Sequence, residues 1–291
     1  MKKQTHDGIW KYGVTLGEGN TSLRKIENIF FKCEFENPTG SVKDRAVAYQ
    51  VSRLKENKIG KAVISSSGNA AISASNYCAK AHISLTVFVS EHINTKKLEV
   101  LKTLPCKLVQ TKKPLSAAFQ YAKKENAYNL RQSTDPYAVS GYETIAYEIR
   151  QKEKVDAIFT PLSSGTHFVG MGRGFLKETI FPAMHFVQTE SVHPVASLFD
   201  TDFNKEEKSI ADAIVARFVP RQKEIEDIVK KTNGWGWIVS DNEIKSGHKW
   251  LLDHGITCSY EGGATLASLW KAKQKGYIYK HPVCILTGKF Y

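Results

Sequence analysis

In ENPTGSVKDR (residues 36–45), Lys43 follows a turn-forming Pro-Thr-Gly and Ser41, a good helix-capping residue. Ser41 with Asp44 three positions later has capping-box spacing, which predicts Lys43 in the first turn of a helix. There the partial positive charge of the helix N-terminus disfavours an ammonium and favours the neutral amine. A neutral amine is the form that condenses with an aldehyde to a Schiff base. A surface lysine whose stem covers apolar neighbours fits the same residues, and the capping pattern alone leaves both readings standing.

Two further stretches carry polar groups at strand-to-helix junctions. In ISSSGNAAIS (64–73), an apolar run ends in serines and Gly68, and a small-residue helix opens with Asn69, Ala70 and Ala71. Backbone N–H groups and hydroxyls around Ser66, Ser67, Gly68 and Asn69 suit an anion such as a carboxylate, although an ordinary turn has the same composition. In DAIFTPLSSGTHFVGMGRGF (156–175), Ser163, Ser164, Gly165 and Thr166 form a similar junction. This one suits a phosphate, and Gly170, Gly172 and Gly174 permit close packing of the helix behind it. It has neither the G-K-[ST] ending nor a G-x-G-x-x-G fingerprint, so ATP and NAD are poorly supported. The terminal CILTGKF places Thr287 where a strand ends and a hydroxyl can meet a ring nitrogen.

The elements that must position these residues alternate almost from end to end. NIFFKCEF (28–35) reads as a strand, followed by a helix from Ser41 to about Asn57 with Val47, Val51 and Leu54 on one stripe. KAVISS, ISLTVFV, CKLVQ, DAIFTPL, MHFVQTE and HPVCILT are further candidate strands, most followed by helical patterns. Strands joined by helical crossovers predict an α/β fold with doubly wound, mainly parallel sheets. Two lobes are expected, with residues 50–140 forming the smaller and 1–49 with 141–291 the larger. Residues 200–222 are polar and irregular up to ADAIVARFVPR and read as a mobile segment.

Composition narrows the class. A chain of 291 residues, 42% hydrophobic and 24% charged, is that of an ordinary globular protein with a sizeable core. MKKQTHDGIW has no apolar run behind its lysines, which argues against a signal peptide, and no stretch has the length of a membrane span. Cys33, Cys78, Cys106, Cys258 and Cys284 are odd in number and never spaced C-x-x-C. This pattern predicts reduced thiols, a cytoplasmic location and no structural zinc site. Net charge is +12, half of it in residues 94–125, where eight lysines face only Glu99 and Glu125. Without arginine and with few aromatics, that run reads as a solvated helical face rather than a nucleic-acid site. Its charge can still attract anionic small molecules.

Taken with VTLGEGNTSL (14–23), these segments resemble the fold-type II pyridoxal-phosphate enzymes, the tryptophan synthase β family, in one order from about Thr15 to Lys289. The resemblance implies a homodimer of two-lobed subunits with the cofactor in the cleft between lobes. It implies that Lys43 carries the cofactor as a Schiff base and that Asn69 binds the phenolic oxygen. Ser66, Ser67, Gly68 and Asn69 would hold the substrate carboxylate on a mobile small domain. Ser163, Ser164, Gly165 and Thr166 would hold the cofactor phosphate, and Thr287 would meet the pyridine nitrogen. Ser163 and Ser164 stand where many relatives have glycine or asparagine, a change that hydroxyl donors tolerate.

LGEGNTSL and LTGK look most like threonine synthases, whereas NPTGSVKDR, with Val42, also looks like cysteine synthases. DPYAVSGYETIAYEI (135–149) is similar to threonine synthases and to serine/threonine dehydratases. Ala138 occupies the position of an arginine that grips phosphate in the threonine synthase pattern, and Ala70 stands where threonine is common. The resemblance therefore implies elimination or replacement at the β- or γ-carbon of a small amino acid, threonine synthase-like, with O-phosphohomoserine disfavoured. Cysteine synthase or serine/threonine dehydratase is the alternative. A non-enzymatic binding protein on a degenerate scaffold is opposed by the retention of Lys43, Asn69 and Thr287. Glu261, in YEGGATLASL, matches a family glutamate, with Gly262 replacing proline, and reads as an acid stabilised by a helix N-terminus. His167, just after the phosphate loop, reads as a satisfied helix histidine.

Overall fold

The computed structural model describes residues 13–93 and 95–289, which divide into two compact units. Strands β1 (Leu23–Ile26) and β2 (Ile29–Cys33) precede helix α1 (Lys43–Glu56). Then come β3 (Lys61–Ser65), α2 (Asn69–Lys80), β4 (Ser84–Ser90), α3 (Thr95–Lys102), β5 (Lys107–Thr111), α4 (Pro114–Glu125) and β6 (Tyr128–Asn129). α5 (Pro136–Lys152) leads to β7 (Ala157–Pro161), α6 (Thr166–Phe175), β8 (Ala183–Thr189), α7 (Gln222–Lys231) and β9 (Gly236–Val239). α8 (Asp241–Asp253), α9 (Tyr260–Gln274) and β10 (Pro282–Leu286) complete the described chain.

The first unit comprises the chain up to Glu18 together with Lys43–Gly141. Its four-stranded sheet runs β5-β4-β3-β6, parallel throughout. The chain winds outward from β3 to β5 and then returns to the other side of β3. On one face, α1 and α2 bury Val47, Val51, Leu54 and Tyr77 with Leu101 of α3; on the other, Ala118 of α4 packs against Val63 and Phe88. Covering both faces lets β3 and β4 read as near-continuous apolar runs. α1 packs on α2, so residues 43–49 group with this unit rather than with the larger one.

The second unit, Gly19–Val42 with Tyr142–Tyr291, has a six-stranded sheet in the order β1-β2-β10-β7-β8-β9. β1 pairs antiparallel with β2; the other pairs are parallel. β10, the last of the described strands, lies between β2 and β7. Every predicted strand is present, while β1, β6 and β9 lie outside the predicted set. α1 starts at Lys43, two residues after Ser41, within the usual uncertainty of a helix end.

Residues 200–221 contain no helix or strand, but the segment is anchored rather than loose. Asp241 accepts hydrogen bonds from the Ser209 hydroxyl and the Ile210 N–H, and Ala211, Ile214 and Val219 are buried. The buried Lys271 ammonium binds Asp200 at 2.8 Å and the Asp202 and Ile238 carbonyls. All five cysteines are free thiols, and burial pushes those of Cys33, Cys78 and Cys258 up to about 12, which makes them packing residues. Among the described residues no helix is long and apolar enough to cross a membrane.

Candidate active site

Lys43 is the first residue of α1, and Val42 before it donates its N–H to the Thr287 carbonyl at 2.9 Å. Part of the lysine's surface stays open, yet protein atoms crowd its amine. That burial pushes the pKa from 10.5 down to about 8. About one amine in ten is then neutral at pH 7, against fewer than one in a thousand for a solvated lysine. The helix N-terminus acts in the same direction. Asp44, read from sequence as a capping partner of Ser41, is buried and accepts from the Ser73 hydroxyl at 2.7 Å, fastening the start of α1 to α2.

In the same unit β3 ends at Ser65, and Ser66, Ser67 and Gly68 lead directly into α2. The Ser66 hydroxyl accepts from the Gly68 N–H at 3.3 Å, while Gly68, at the N-cap, has no side chain to occupy the open N–H groups of the first turn. Asn69 opens the helix half-buried, and its side-chain amide has no partner among the described residues. Ala70 is half-buried beside it, and Ala138 is fully buried in α5, so neither position offers a donor. The unit's segment ahead of β1 is tied down by Glu18, which accepts from the hydroxyls of Thr15 and Tyr77 at 2.9 and 2.8 Å.

In the second unit the corresponding loop follows β7. Gly165 is the N-cap of α6 at φ 77°, a left-handed conformation that glycine adopts without cost. A Cβ there would also strike the Ile225 side chain of α7. Ser163 accepts from the Val215 N–H at 3.3 Å, and the Ser164 and Thr166 hydroxyls lie 3.2 Å apart. Glu261, in the first turn of α9, is buried and accepts from the Ala213 N–H at 2.9 Å. It thus supports the loop that backs Ser163, a role beyond the dipole interaction expected for it. His167 is buried, its Nε2 2.9 Å from the Thr160 hydroxyl, as a satisfied histidine should be. Gly172 and Gly174 do allow close packing, the first against Ile228 of α7 and the second against Ala146 and the Glu143 carbonyl of α5.

Thr287 follows β10, which pairs in parallel with β7, so Thr287 and the Ser163–Thr166 loop leave neighbouring strands at the same sheet edge. Its carbonyl is occupied by Val42, but its half-buried hydroxyl has no partner among the described residues. An amine shifted toward neutrality, an unpartnered hydroxyl and a helix N-terminus rich in hydroxyls are what an aldehyde, a ring nitrogen and a phosphate require. The residues present fit pyridoxal phosphate piece by piece.

Sequence reasoning missed the loop after β6. There Asp135 accepts from the Gln50 amide of α1 at 2.6 Å and from the Tyr128 hydroxyl at 3.0 Å. The D-P pair that opens α5 was the available signal for a fixed turn.

The chain is 27% identical to threonine synthase of Methanocaldococcus jannaschii, over 97% of this chain and 80% of that protein. It is also 27% identical to threonine synthase of Halalkalibacterium halodurans, over 94% of this chain and 83% of that one. In fold it is similar to the processed form of threonine deaminase isoform 2 from Solanum lycopersicum. The TM-score is 0.82 at 17% identity, covering 98% of this chain and 82% of that one. Residues 14–288 match the family described as pyridoxal-phosphate dependent enzyme, and the chain belongs to that family.

Proposed function

We propose that the protein catalyses elimination or replacement at the β- or γ-carbon of a small amino acid, in the manner of the threonine synthases it is similar to. The observation that carries this reading is the Lys43 amine, held near pKa 8 in the first turn of α1. Lys43 would hold the cofactor through its aldehyde, and its amine, when free, would take the proton from Cα and return one. Pyridoxal phosphate supplies the electron sink for that carbon. Asn69 would hold the phenolic oxygen, and the loop of Ser66, Ser67, Gly68 and Asn69 would bind the substrate carboxylate through hydroxyls and helix N–H groups. Ser163, Ser164, Gly165 and Thr166 bind the phosphate in the same way at α6. Thr287 offers the ring nitrogen a neutral hydroxyl, which favours expulsion of a leaving group over transamination.

The buried methyl group of Ala138 favours a second reading, a serine/threonine dehydratase or cysteine synthase that needs no phosphate grip there. We further infer a homodimer on the strength of the family resemblance, and a cytoplasmic location from the number and spacing of the cysteines.

The test is direct. Purified protein should be yellow, and borohydride should fix the cofactor on the peptide that contains Lys43. A panel of phosphohomoserine, acetylserine, serine and threonine, followed for keto acid and product amino acid, then separates elimination from replacement. Label on another lysine, or no turnover of any of the four, would sink the reading.

A further inference from the structure

The first unit carries a second set of donors beside the serine loop. Parallel strands β3 and β6 are neighbours, with Val63 opposite Asn129, and the Leu130 N–H donates to the Val63 carbonyl at 2.9 Å. Three residues beyond Val63 comes Ser66; two beyond Asn129 comes Arg131. The two loops therefore leave the same sheet edge on strands about 4.8 Å apart. That edge is the switch point of the unit, since the chain runs from β3 away to β5 and comes back on the other side as β6. Crevices outside the carboxyl ends of strands at such points are where open parallel sheets bind ligands.

Arg131 is half-buried there. Its Nε donates to the Ser133 hydroxyl at 2.8 Å and its N–H to the Asn129 Oδ1 at 3.1 Å, which fixes the base of the guanidinium. Its terminal nitrogens have no carboxylate or other partner among the described residues. Asn129 Nδ2, a donor at the end of β6, is buried without an acceptor among the described residues. Asp135 locks the loop by its bonds to Gln50 and Tyr128. A loop that holds an unfilled guanidinium fork and, beside it, a buried amide donor without an acceptor suits an anion.

We propose that Arg131, assisted by Asn129, forms an anion-binding site that selects amino acids with an acidic group, phosphate or carboxylate, on the side chain. The donors absent at Ala138 and Ala70 are then supplied from the loop between β6 and α5, and the acidic substrate class is open again. The site deepens the function proposed above and rests on that reading only for turnover, so binding and catalysis are measured separately.

Holoenzyme is titrated calorimetrically with O-phospho-L-serine, O-phospho-L-homoserine, L-aspartate and L-serine, in wild type, Arg131→Gln and Arg131→Lys. At least one acidic amino acid should bind wild type about ten- to a hundredfold more tightly than serine. Which one does so distinguishes phosphate from carboxylate and sets the reach. Arg131→Gln should abolish that preference and leave serine unchanged. Arg131→Lys, which keeps the charge and loses the fork, should restore part of it. Equal binding of all four by wild type overturns the proposal, as does a loss in Arg131→Gln that is as large for serine as for the acidic ligands. Tight acidic binding without elimination or replacement would support the site and refute the proposed reaction.

Discussion

Lys43 can be interrogated by pH, because its amine is displaced from 10.5 to about 8 by burial. Below pH 8 the lysine is protonated in folded and unfolded chains alike. Between 8 and 10.5 the folded cofactor-free protein has released a proton that the unfolded chain retains, so its stability rises with pH across that window. Labelling by pyridoxal phosphate and borohydride at the Lys43 peptide should climb to a midpoint near pH 8 and then level off. Other lysines should keep climbing toward 10.5. A midpoint near 10.5 at Lys43, read by mass spectrometry of the peptide, would show a solvated amine. Thr287 makes the complementary test at the ring nitrogen. Thr287→Asp places a carboxylate where the hydroxyl is unpartnered, while the backbone bond to Val42 is untouched. The fold should survive, the cofactor spectrum should change, and turnover should fall about a hundredfold or more. An Asp variant with wild-type spectrum and rate would mean that Thr287 does not meet the cofactor.

The junction of β7 with α6 rests on Gly165, and alanine there should be costly in two ways. The left-handed backbone costs about 1 kcal/mol, and the Cβ must displace Ile225, for a combined loss of about 1–3 kcal/mol in denaturant unfolding, with weakened cofactor retention. Gly60, beside which a Cβ meets nothing within 4 Å, is the control and should change stability little. Elements of this kind were legible where chemistry and burial are local. NIFFKCEF and ISLTVFV read as strands because parallel strands covered on both faces are unbroken apolar runs. The serine and glycine junctions read as strand-to-helix turns because turn residues sit directly between an apolar run and a helical pattern. β1 was not legible, since LRKI is half-exposed and charged, and β6, two residues long, has no periodicity to detect. Arg131 was invisible for a deeper reason. Its meaning depends on β6 returning beside β3, a pairing of residues more than sixty positions apart that no local window contains.

Across the whole molecule, charge is unevenly placed. Residues 43–141 hold 16 lysines and arginines against 6 acids, whereas 142–291 hold 19 against 18, so nearly all of the +12 surplus belongs to the first unit. Lys107, Lys112, Lys113, Lys123 and Lys124 are exposed and without acidic partners among the described residues. If this surplus steers acidic ligands, kcat/KM for an acidic amino acid should fall several-fold between about 10 and 150 mM salt, where the screening length shrinks from about 30 to 8 Å. For zwitterionic serine it should stay flat, and equal salt dependence for both would leave the lysines as solubilising groups.

The placement of β10 has a consequence for how the chain comes into being. A ribosome delivers β2 early and β7 midway, yet neither gains its central neighbour until β10 emerges some 250 residues after β2. Until then the larger sheet exists as two open-edged pieces with apolar faces, the state in which nascent chains are most exposed to aggregation. Residues 43–141 do not have to wait, because the smaller sheet is completed by β6 well before β10 is made. Maturation of this protein is therefore expected to be gated by β10, with chaperone dependence concentrated in the interval between Tyr142 and Pro282.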